Sequence, residues 1–189
     1  MGLANWLTVL RILLVPVFVS LLVYHRPGLA LSVFAAAALT DLLDGYVARH
    51  RGIQSRLGAF LDPMADKLLL ISSFVTLTWL DALPFWIAAV VISRDIILVV
   101  GALAIHMAGG RIYPRPTWAG KVATFFQVVT VLTGLTGRFL GVELGVGLFM
   151  WLAALCTVAS GLQYIVQGMR FLNTAPVVDR EVDEASLLR

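Results

Sequence analysis

The sequence predicts an all-α polytopic membrane protein with six transmembrane helices and both termini in the cytoplasm. Of its 189 residues, 60% are hydrophobic and 13% are charged, which is far from the usual composition of a soluble domain. The mean hydropathy is +0.92, and the apolar residues gather in stretches of roughly 20, the length that crosses a bilayer as a helix. A soluble globular domain is thereby excluded, and no nucleic-acid partner is expected.

Six apolar runs follow one another along the chain. They cover residues 6–24, 28–49, 57–80, 83–107, 118–136 and 143–168. Short breaks rich in turn-forming residues separate them, such as Arg26-Pro27-Gly28 and Asp81-Ala82-Leu83-Pro84. No internal repeat or second domain is visible. We therefore expect one membrane domain over residues 1–172, followed by a polar, disordered tail over residues 173–189.

The basic residues indicate the orientation of these helices. The second loop, the fourth loop and the end of the sixth run carry most of them: Arg49, Arg51, Arg56, Arg111, Arg115, Lys121 and Arg170. The alternate loops contain only Arg26 and Arg138. Because basic loops stay on the cytoplasmic side, both termini and the second loop are predicted to be cytoplasmic.

Aspartates interrupt the apolar runs, where an ionised side chain costs roughly 2.5 to 3.5 kcal/mol on insertion scales. Asp41 and Asp44 lie one helical turn apart, and Asp62 and Asp66 are spaced i and i+4. A short loop should make the second and third helices antiparallel neighbours. The four carboxylates are therefore predicted to meet near the cytoplasmic membrane boundary.

Four such carboxylates need either protonation or bound divalent cations. The quartet contains no His or Cys, so Mg²⁺ or Mn²⁺ is favoured over zinc. Two such ions are suited to holding a phosphate or diphosphate during a displacement. The small residues Gly45, Ala48 and Gly58 would let a large polar ligand approach, although such residues are more often helix-packing positions. Arg49 supplies a planar set of donors for phosphate oxygens.

The order Asp-x2-Asp-Gly-x2-Ala-Arg-x8-Gly-x3-Asp-x3-Asp, from Asp41 to Asp66, resembles the motif of the CDP-alcohol phosphatidyltransferases, a family of integral membrane enzymes. The resemblance extends over nearly the whole chain and is weakest in the tail. It implies transfer of a phosphatidyl group from CDP-diacylglycerol to an alcohol with release of CMP. It also implies a homodimer and, for a bacterial protein, an inner-membrane location with a cytoplasmic active site.

The resemblance assigns roles to the motif residues. Asp41, Asp44, Asp62 and Asp66 would hold two divalent cations, Mg²⁺ or Mn²⁺, and Asp66 would also be the general base for the acceptor hydroxyl. The pocket for the cytidine diphosphate would be lined by Gly45, Ala48, Arg49 and Gly58.

Two branches of the family compete for the acceptor. Phosphatidylglycerophosphate synthases typically carry Arg-Glu in the fourth span with a second Arg two turns later, whereas this chain has Arg94-Asp95 and Ala102. Ile92-Ser93-Arg94-Asp95 and Arg115-Pro116-Thr117 are similar to eukaryotic-type cardiolipin synthases. The preferred prediction is therefore cardiolipin synthase with phosphatidylglycerol as acceptor, and the alternative is phosphatidylglycerophosphate synthase with glycerol 3-phosphate.

Either acceptor is anionic, and four basic residues are candidates to bind it: Arg94, Arg111, Arg115 and Lys121. For Arg94 there is a structural alternative, a charge pair with Asp95 that makes burial of both tolerable. Two other classes remain for the chain as a whole. Intramembrane aspartates also occur in ion or proton transporters, but there the charges are strung across the bilayer rather than clustered. A membrane scaffold would need no aspartate for catalysis.

Overall fold

The computed structural model describes the backbone of residues 3–51, 56–107, 118–141 and 145–174, and the side chains of residues 9–40, 65–101, 103, 107, 118–141 and 145–169. Within these ranges the chain forms six helices and no strand, which confirms the all-α prediction. The helices are α1 (Leu3–Val23), α2 (Pro27–Arg51), α3 (Arg56–Trp79), α4 (Phe85–Met107), α5 (Trp118–Leu140) and α6 (Val146–Thr174).

Two stretches of the described chain, Trp118–Leu140 and Val146–Met169, are long and apolar enough to cross a membrane. Two further helices carry shorter apolar stretches, Val9–Val23 and Pro27–Thr40. The six-span topology and the cytoplasmic termini stay predictions.

Helix α2 ends two residues later than its apolar run, and α5 and α6 end four and six residues later than theirs. Helix α5 continues from residue 136 to Leu140, and the Arg138 side chain in this last turn donates a hydrogen bond to Leu80 O, just after α3. Helix α6 continues to Thr174; Met169, Arg170 and Leu172 in this extension have good helix propensity, although the hydropathy falls. The predicted tail therefore starts within the last turn of α6, and residues 175–189 lie outside the described part of the chain.

Helices α1 and α3 end in the same kind of turn. His25 has a φ of 55°, its N–H and that of Arg26 point back into α1, and Arg26 N donates to Leu21 O at 2.8 Å. At the end of α3, Asp81 has a φ of 56°, and Asp81 and Ala82 donate backward in the same way. These are Schellman motifs in which a non-glycine residue takes the left-handed position. They end the two helices at the breaks where the sequence has turn-forming residues.

Contacts near the end of α5 gather the helix-connecting turns at one end of the bundle. The Phe139 ring approaches α2 so closely that a Cβ added to Gly28 would lie 2.7 Å from it. The Arg138 guanidinium donates to Leu80 O, just after α3, at 2.7 Å. The α1–α2 and α3–α4 turns therefore both lie beside the C-terminal end of α5, as expected for helices that alternate in direction.

Aromatic and aliphatic side chains from all six helices form the core. Phe18 and Phe34 join α1 to α2 with ring centroids 5.8 Å apart, and Phe74 of α3 is fully buried beside them. On α6, the small residues Ala153, Thr157 and Gly161 lie one turn apart and are all buried. The outer surface remains apolar and carries many large exposed side chains such as Leu13, Val99 and Leu162. Such a surface suits lipid rather than water as the surrounding solvent.

Candidate active site

Asp66 lies near the middle of α3, about 15 Å along the helix axis from Arg56. Its carboxylate contacts Arg11 of α1, with Arg11 Nη1 2.5 Å from Asp66 Oδ1. The Arg11 side chain is 3% exposed, whereas that of Asp66 is 36% exposed. The pair thus consists of a buried cation and a carboxylate that remains accessible. This arrangement fixes the orientation of Asp66 without closing it off.

The next residue, Lys67, reaches the neighbouring helix. Its ammonium group donates to Asp95 Oδ1 on α4, and Arg94 Nη1 donates to the same oxygen at 2.8 Å. One carboxylate oxygen of Asp95 therefore accepts hydrogen bonds from two cationic side chains. Arg94 and Asp95 are both nearly fully buried, which an ionised pair tolerates only when its hydrogen bonds are made. The pair predicted as the structural alternative for Arg94 is present.

From Arg94 the polar contacts continue into α6. Arg94 Nη2 donates to Ser160 Oγ at 3.1 Å, and one turn earlier in α6 Thr157 Oγ1 accepts from Gln127 Nε2 of α5 at 2.9 Å. Arg94 Nε is buried and has no hydrogen-bond partner among the described residues. We call Lys67, Asp95, Arg94 and Ser160 the α3–α4–α6 network. Together with the Arg11–Asp66 contact, it ties four helices together around the predicted base.

The structure places the other predicted site residues less completely. Asp41, Asp44, Gly45, Ala48 and Arg49 belong to α2, and Gly58 and Asp62 belong to α3; their side chains lie outside the described part, as do all of Arg111 and Arg115. Lys121 is exposed in the first turns of α5. The meeting of four carboxylates therefore stays a prediction.

The residues of the motif fit the predicted divalent cations by donor chemistry and register. Positions 41 and 44, and positions 62 and 66, lie on uninterrupted helix, so each pair shares one helix face. All four donors are carboxylate oxygens, the ligands that Mg²⁺ and Mn²⁺ prefer. A carboxylate has acceptor capacity for both Arg11 and a metal ion. Among the described side chains alone, no three His, Cys, Asp or Glu residues come together.

Three contact residues were missed by sequence reasoning. Lys67 directly follows the last aspartate of the motif, but its ammonium group pairs with Asp95 of the next helix. Ser160 and Gln127 were not singled out. Their only signal in the sequence is a polar residue within an apolar helix, which is often a helix-to-helix hydrogen bond.

Comparison with known proteins identifies the class. Residues 1–161 match the family model of the CDP-alcohol phosphatidyltransferases, so the chain belongs to this family. The match covers every residue of the aspartate motif. The chain is therefore an enzyme that transfers a substituted phosphate group, and the transporter and scaffold interpretations are set aside. Members of the family generally use divalent cations.

Within this family, the chain is similar to several individual proteins. It is 38% identical over 177 residues to the "Probable phosphatidylglycerophosphate synthase" of Mycobacterium tuberculosis, covering 89% of this chain and 82% of that protein. It is 41% identical over 189 residues to the "CDP-diacylglycerol--glycerol-3-phosphate 3-phosphatidyltransferase" of Pseudomonas fluorescens, covering 92% and 93%. The human "Cardiolipin synthase (CMP-forming)" is 33% identical over 186 residues, covering 88% of this chain and 61% of that protein. Together with the two apolar helices, the bacterial relatives indicate a membrane protein.

Proposed function

We propose that the chain is a phosphatidylglycerophosphate synthase, which moves the phosphatidyl group of CDP-diacylglycerol to glycerol 3-phosphate and releases CMP. The observation that carries this choice is the similarity to the Pseudomonas fluorescens glycerol-3-phosphate phosphatidyltransferase along almost the full length of both chains. The Mycobacterium tuberculosis and Bacillus subtilis relatives bear names of the same activity. The preference for phosphatidylglycerol that the sequence motifs gave is not specifically supported by these relatives.

Cardiolipin synthase is the second candidate. The human relative favours it, as do Arg94-Asp95 and the Ala at position 102. The relatives named for glycerol 3-phosphate are more numerous in this comparison, and the structure shows that Arg94 is engaged with Asp95 and Ser160. Because Arg94 forms an internal charge pair with Asp95, that pair by itself favours neither acceptor.

The proposed reaction is a single displacement at phosphorus. The acceptor hydroxyl oxygen attacks the phosphorus of the phosphatidyl group, and its proton passes to the Asp66 carboxylate. A new P–O bond forms while the bond from that phosphorus to the bridging oxygen breaks, and CMP departs with the electron pair. Arg11 holds the Asp66 carboxylate in one orientation, which matters because a general base must lie within hydrogen-bond reach of the hydroxyl.

In this proposal the motif residues hold the divalent cations and bind the donor. Asp41, Asp44, Asp62 and Asp66 would hold two Mg²⁺ or Mn²⁺ ions, whose chemistry there is charge neutralisation on the diphosphate and the departing CMP. Gly45, Ala48, Arg49 and Gly58 would line the cytidine diphosphate pocket. Arg111, Arg115 and Lys121 are basic candidates for attracting the anionic acceptor.

The proposed setting is a bacterial inner membrane. The six helices would span it, with both termini and the active site on the cytoplasmic side, as the distribution of Lys and Arg favours. Residues 1–172 would form the membrane domain of a homodimer, and residues 173–189 a polar tail.

One experiment tests the acceptor directly. The purified protein is given CDP-diacylglycerol and Mg²⁺ with either glycerol 3-phosphate or phosphatidylglycerol, and the lipid product and CMP are identified. Phosphatidylglycerophosphate from the first mixture supports the proposal. Cardiolipin from the second mixture, with no product from the first, would replace it by the second candidate. Chelation of the divalent cation should stop CMP release in either case.

A further inference from the structure

Lys67 differs from the residues it contacts in one respect, its accessibility. Its side chain is 38% exposed, whereas that of Asp95 is 9% exposed. Arg94, the other cation on Asp95, is equally buried. The ammonium group of Lys67 is therefore held at the open side of a buried charge cluster.

The charges of this cluster do not balance. One carboxylate, Asp95, receives both Lys67 and Arg94, so one positive charge is unmatched within the three residues. Arg94 also has a buried Nε without a hydrogen-bond partner among the described residues. The net positive charge of the three residues attracts a further anion. The accessible member, Lys67, is where an anion from outside can bind.

The position of Lys67 relative to the predicted base narrows the choice of anion. Lys67 follows Asp66 directly, so their Cα atoms are about 3.8 Å apart. Asp66 faces Arg11 of α1 and Lys67 faces Asp95 of α4, so the two side chains diverge from neighbouring points. A small molecule with a hydroxyl at one end and a phosphate at the other is suited to contacting both.

We infer that Lys67 binds the phosphate group of the acceptor while Asp66 receives the proton of its hydroxyl. Asp95 is the positioning residue that holds the Lys67 ammonium group, and Arg94 neutralises Asp95 from within the protein. The inference rests on the proposed transfer to a phosphate-bearing acceptor. The same chemistry is offered by the phosphomonoester of glycerol 3-phosphate and by the phosphodiester of phosphatidylglycerol.

The test compares Lys67→Met with Lys67→Arg in the purified full-length protein, using whichever of the two acceptors the wild type converts. Lys67→Met should raise KM for the acceptor by about tenfold or more, the loss expected for one charge-assisted hydrogen bond. The values of kcat and of KM for CDP-diacylglycerol should change much less. Lys67→Arg, which keeps the charge, should recover most of the acceptor affinity.

A second probe is inorganic phosphate, used as a competitive inhibitor against the acceptor. Lys67→Met should weaken its inhibition by a similar factor, whereas Arg26→Met, which removes an exposed charge outside the predicted site, should leave it unchanged. Thermal unfolding of each variant detects a purely structural role. Because Asp95 keeps Arg94 as a partner, Lys67→Met is expected to remain folded.

The outcomes separate this inference from the proposed function. If the wild type makes phosphatidylglycerophosphate but Lys67→Met leaves the acceptor KM unaltered, the inference is wrong and the proposed function stands. If KM rises for CDP-diacylglycerol instead, Lys67 binds the donor and the inference is also wrong. If the wild type uses only phosphatidylglycerol and Lys67→Met raises that KM, the proposed function fails while the inference holds. An acceptor without a phosphate would overturn both.

Discussion

Arg11 and Asp66 are separated by 55 residues of sequence, yet Arg11 Nη1 lies 2.5 Å from Asp66 Oδ1. The contact joins the first helix to the third at the residue that the motif identifies as the base. Because Arg11 is buried and Asp66 is partly accessible, the guanidinium group interacts with the carboxylate rather than with solvent. The orientation of the predicted base on α3 thus depends on a residue of α1.

Replacing Asp66 by Asn should abolish most of the activity. Asn has nearly the same shape but cannot accept the hydroxyl proton, and general base catalysis contributes roughly 10²–10⁴-fold. The measurement is the rate of CMP release, together with thermal unfolding to show that the variant folds. Asp81→Asn is the matched control, since Asp81 lies exposed in the α3–α4 turn. Near-normal turnover by Asp66→Asn in a folded protein would disprove the base assignment.

Arg11 should act on turnover rather than on acceptor binding. Arg11→Lys keeps the charge but loses the planar set of donors, so kcat should fall by about one order of magnitude, while Arg11→Met should lose about two orders. The KM for the acceptor should stay within a few-fold of wild type for both variants. A change confined to that KM, with kcat preserved, would show that Arg11 binds the acceptor instead.

Loss of Asp95 should destabilise the protein strongly. Asp95→Ala would leave Arg94 buried without its counter-ion, which costs about 3–5 kcal/mol. The double variant Arg94→Met/Asp95→Ala removes both buried charges and should recover a large part of that loss. Thermal unfolding in detergent measures the four proteins of this cycle. If the double variant is no more stable than Asp95→Ala, the two residues are not energetically coupled.

Arg138, in the last turn of α5, should stabilise the folded protein through its contact with the turn after α3. Its hydrogen bond to Leu80 O satisfies a carbonyl at the end of α3, and a bond from a charged donor is worth about 1.5–3 kcal/mol. Arg138→Ala should therefore lower the unfolding temperature. Arg26→Ala removes the same charge from a neighbouring turn and should have little effect. Equal losses in the two variants would point to net charge rather than to this contact.

The turn after α1 offers a stabilising change. His25 has a φ of 55°, a conformation that costs a non-glycine residue about 1–2 kcal/mol. His25→Gly removes that strain and should raise the stability by up to about 1 kcal/mol after the greater entropy of unfolded glycine is included. His25→Ala retains the strain and should give no gain. A stability unchanged by the Gly substitution would mean that the His side chain compensates for the strain.

The helices could be predicted from sequence because their signals are local. Apolar runs and turn residues located all six, and the breaks at Arg26 and Asp81 fall where α1 and α3 end. The end of α5 was set too early because it is supported by a contact to Leu80, 58 residues away in the chain. Hydropathy carries no information about such a partner.

In the candidate site, too, the local motif could be predicted from sequence, whereas the contacts between helices could not. The spacing from Asp41 to Asp66 predicted the family, which the match over residues 1–161 confirms. The pairing of Lys67 with Asp95 depends on how α3 and α4 are rotated toward each other, and that rotation is decided by packing across the whole bundle. For Arg94, the sequence offered both a charge pair and a phosphate ligand; the charge pair is present, and the acceptor role stays a prediction.

Because Arg94 and Asp95 form a buried ion pair, substitutions at these two positions should be coupled in evolution. Both side chains are almost fully buried. A chain that loses Asp95 therefore keeps the charge of Arg94 in its interior without a counter-ion until Arg94 is replaced as well. Substitutions at positions 94 and 95 are therefore expected to occur together among descendants of this sequence, and a loss of Asp95 alone should be accompanied by a new acid on α3 or α6, within reach of the Arg94 guanidinium group.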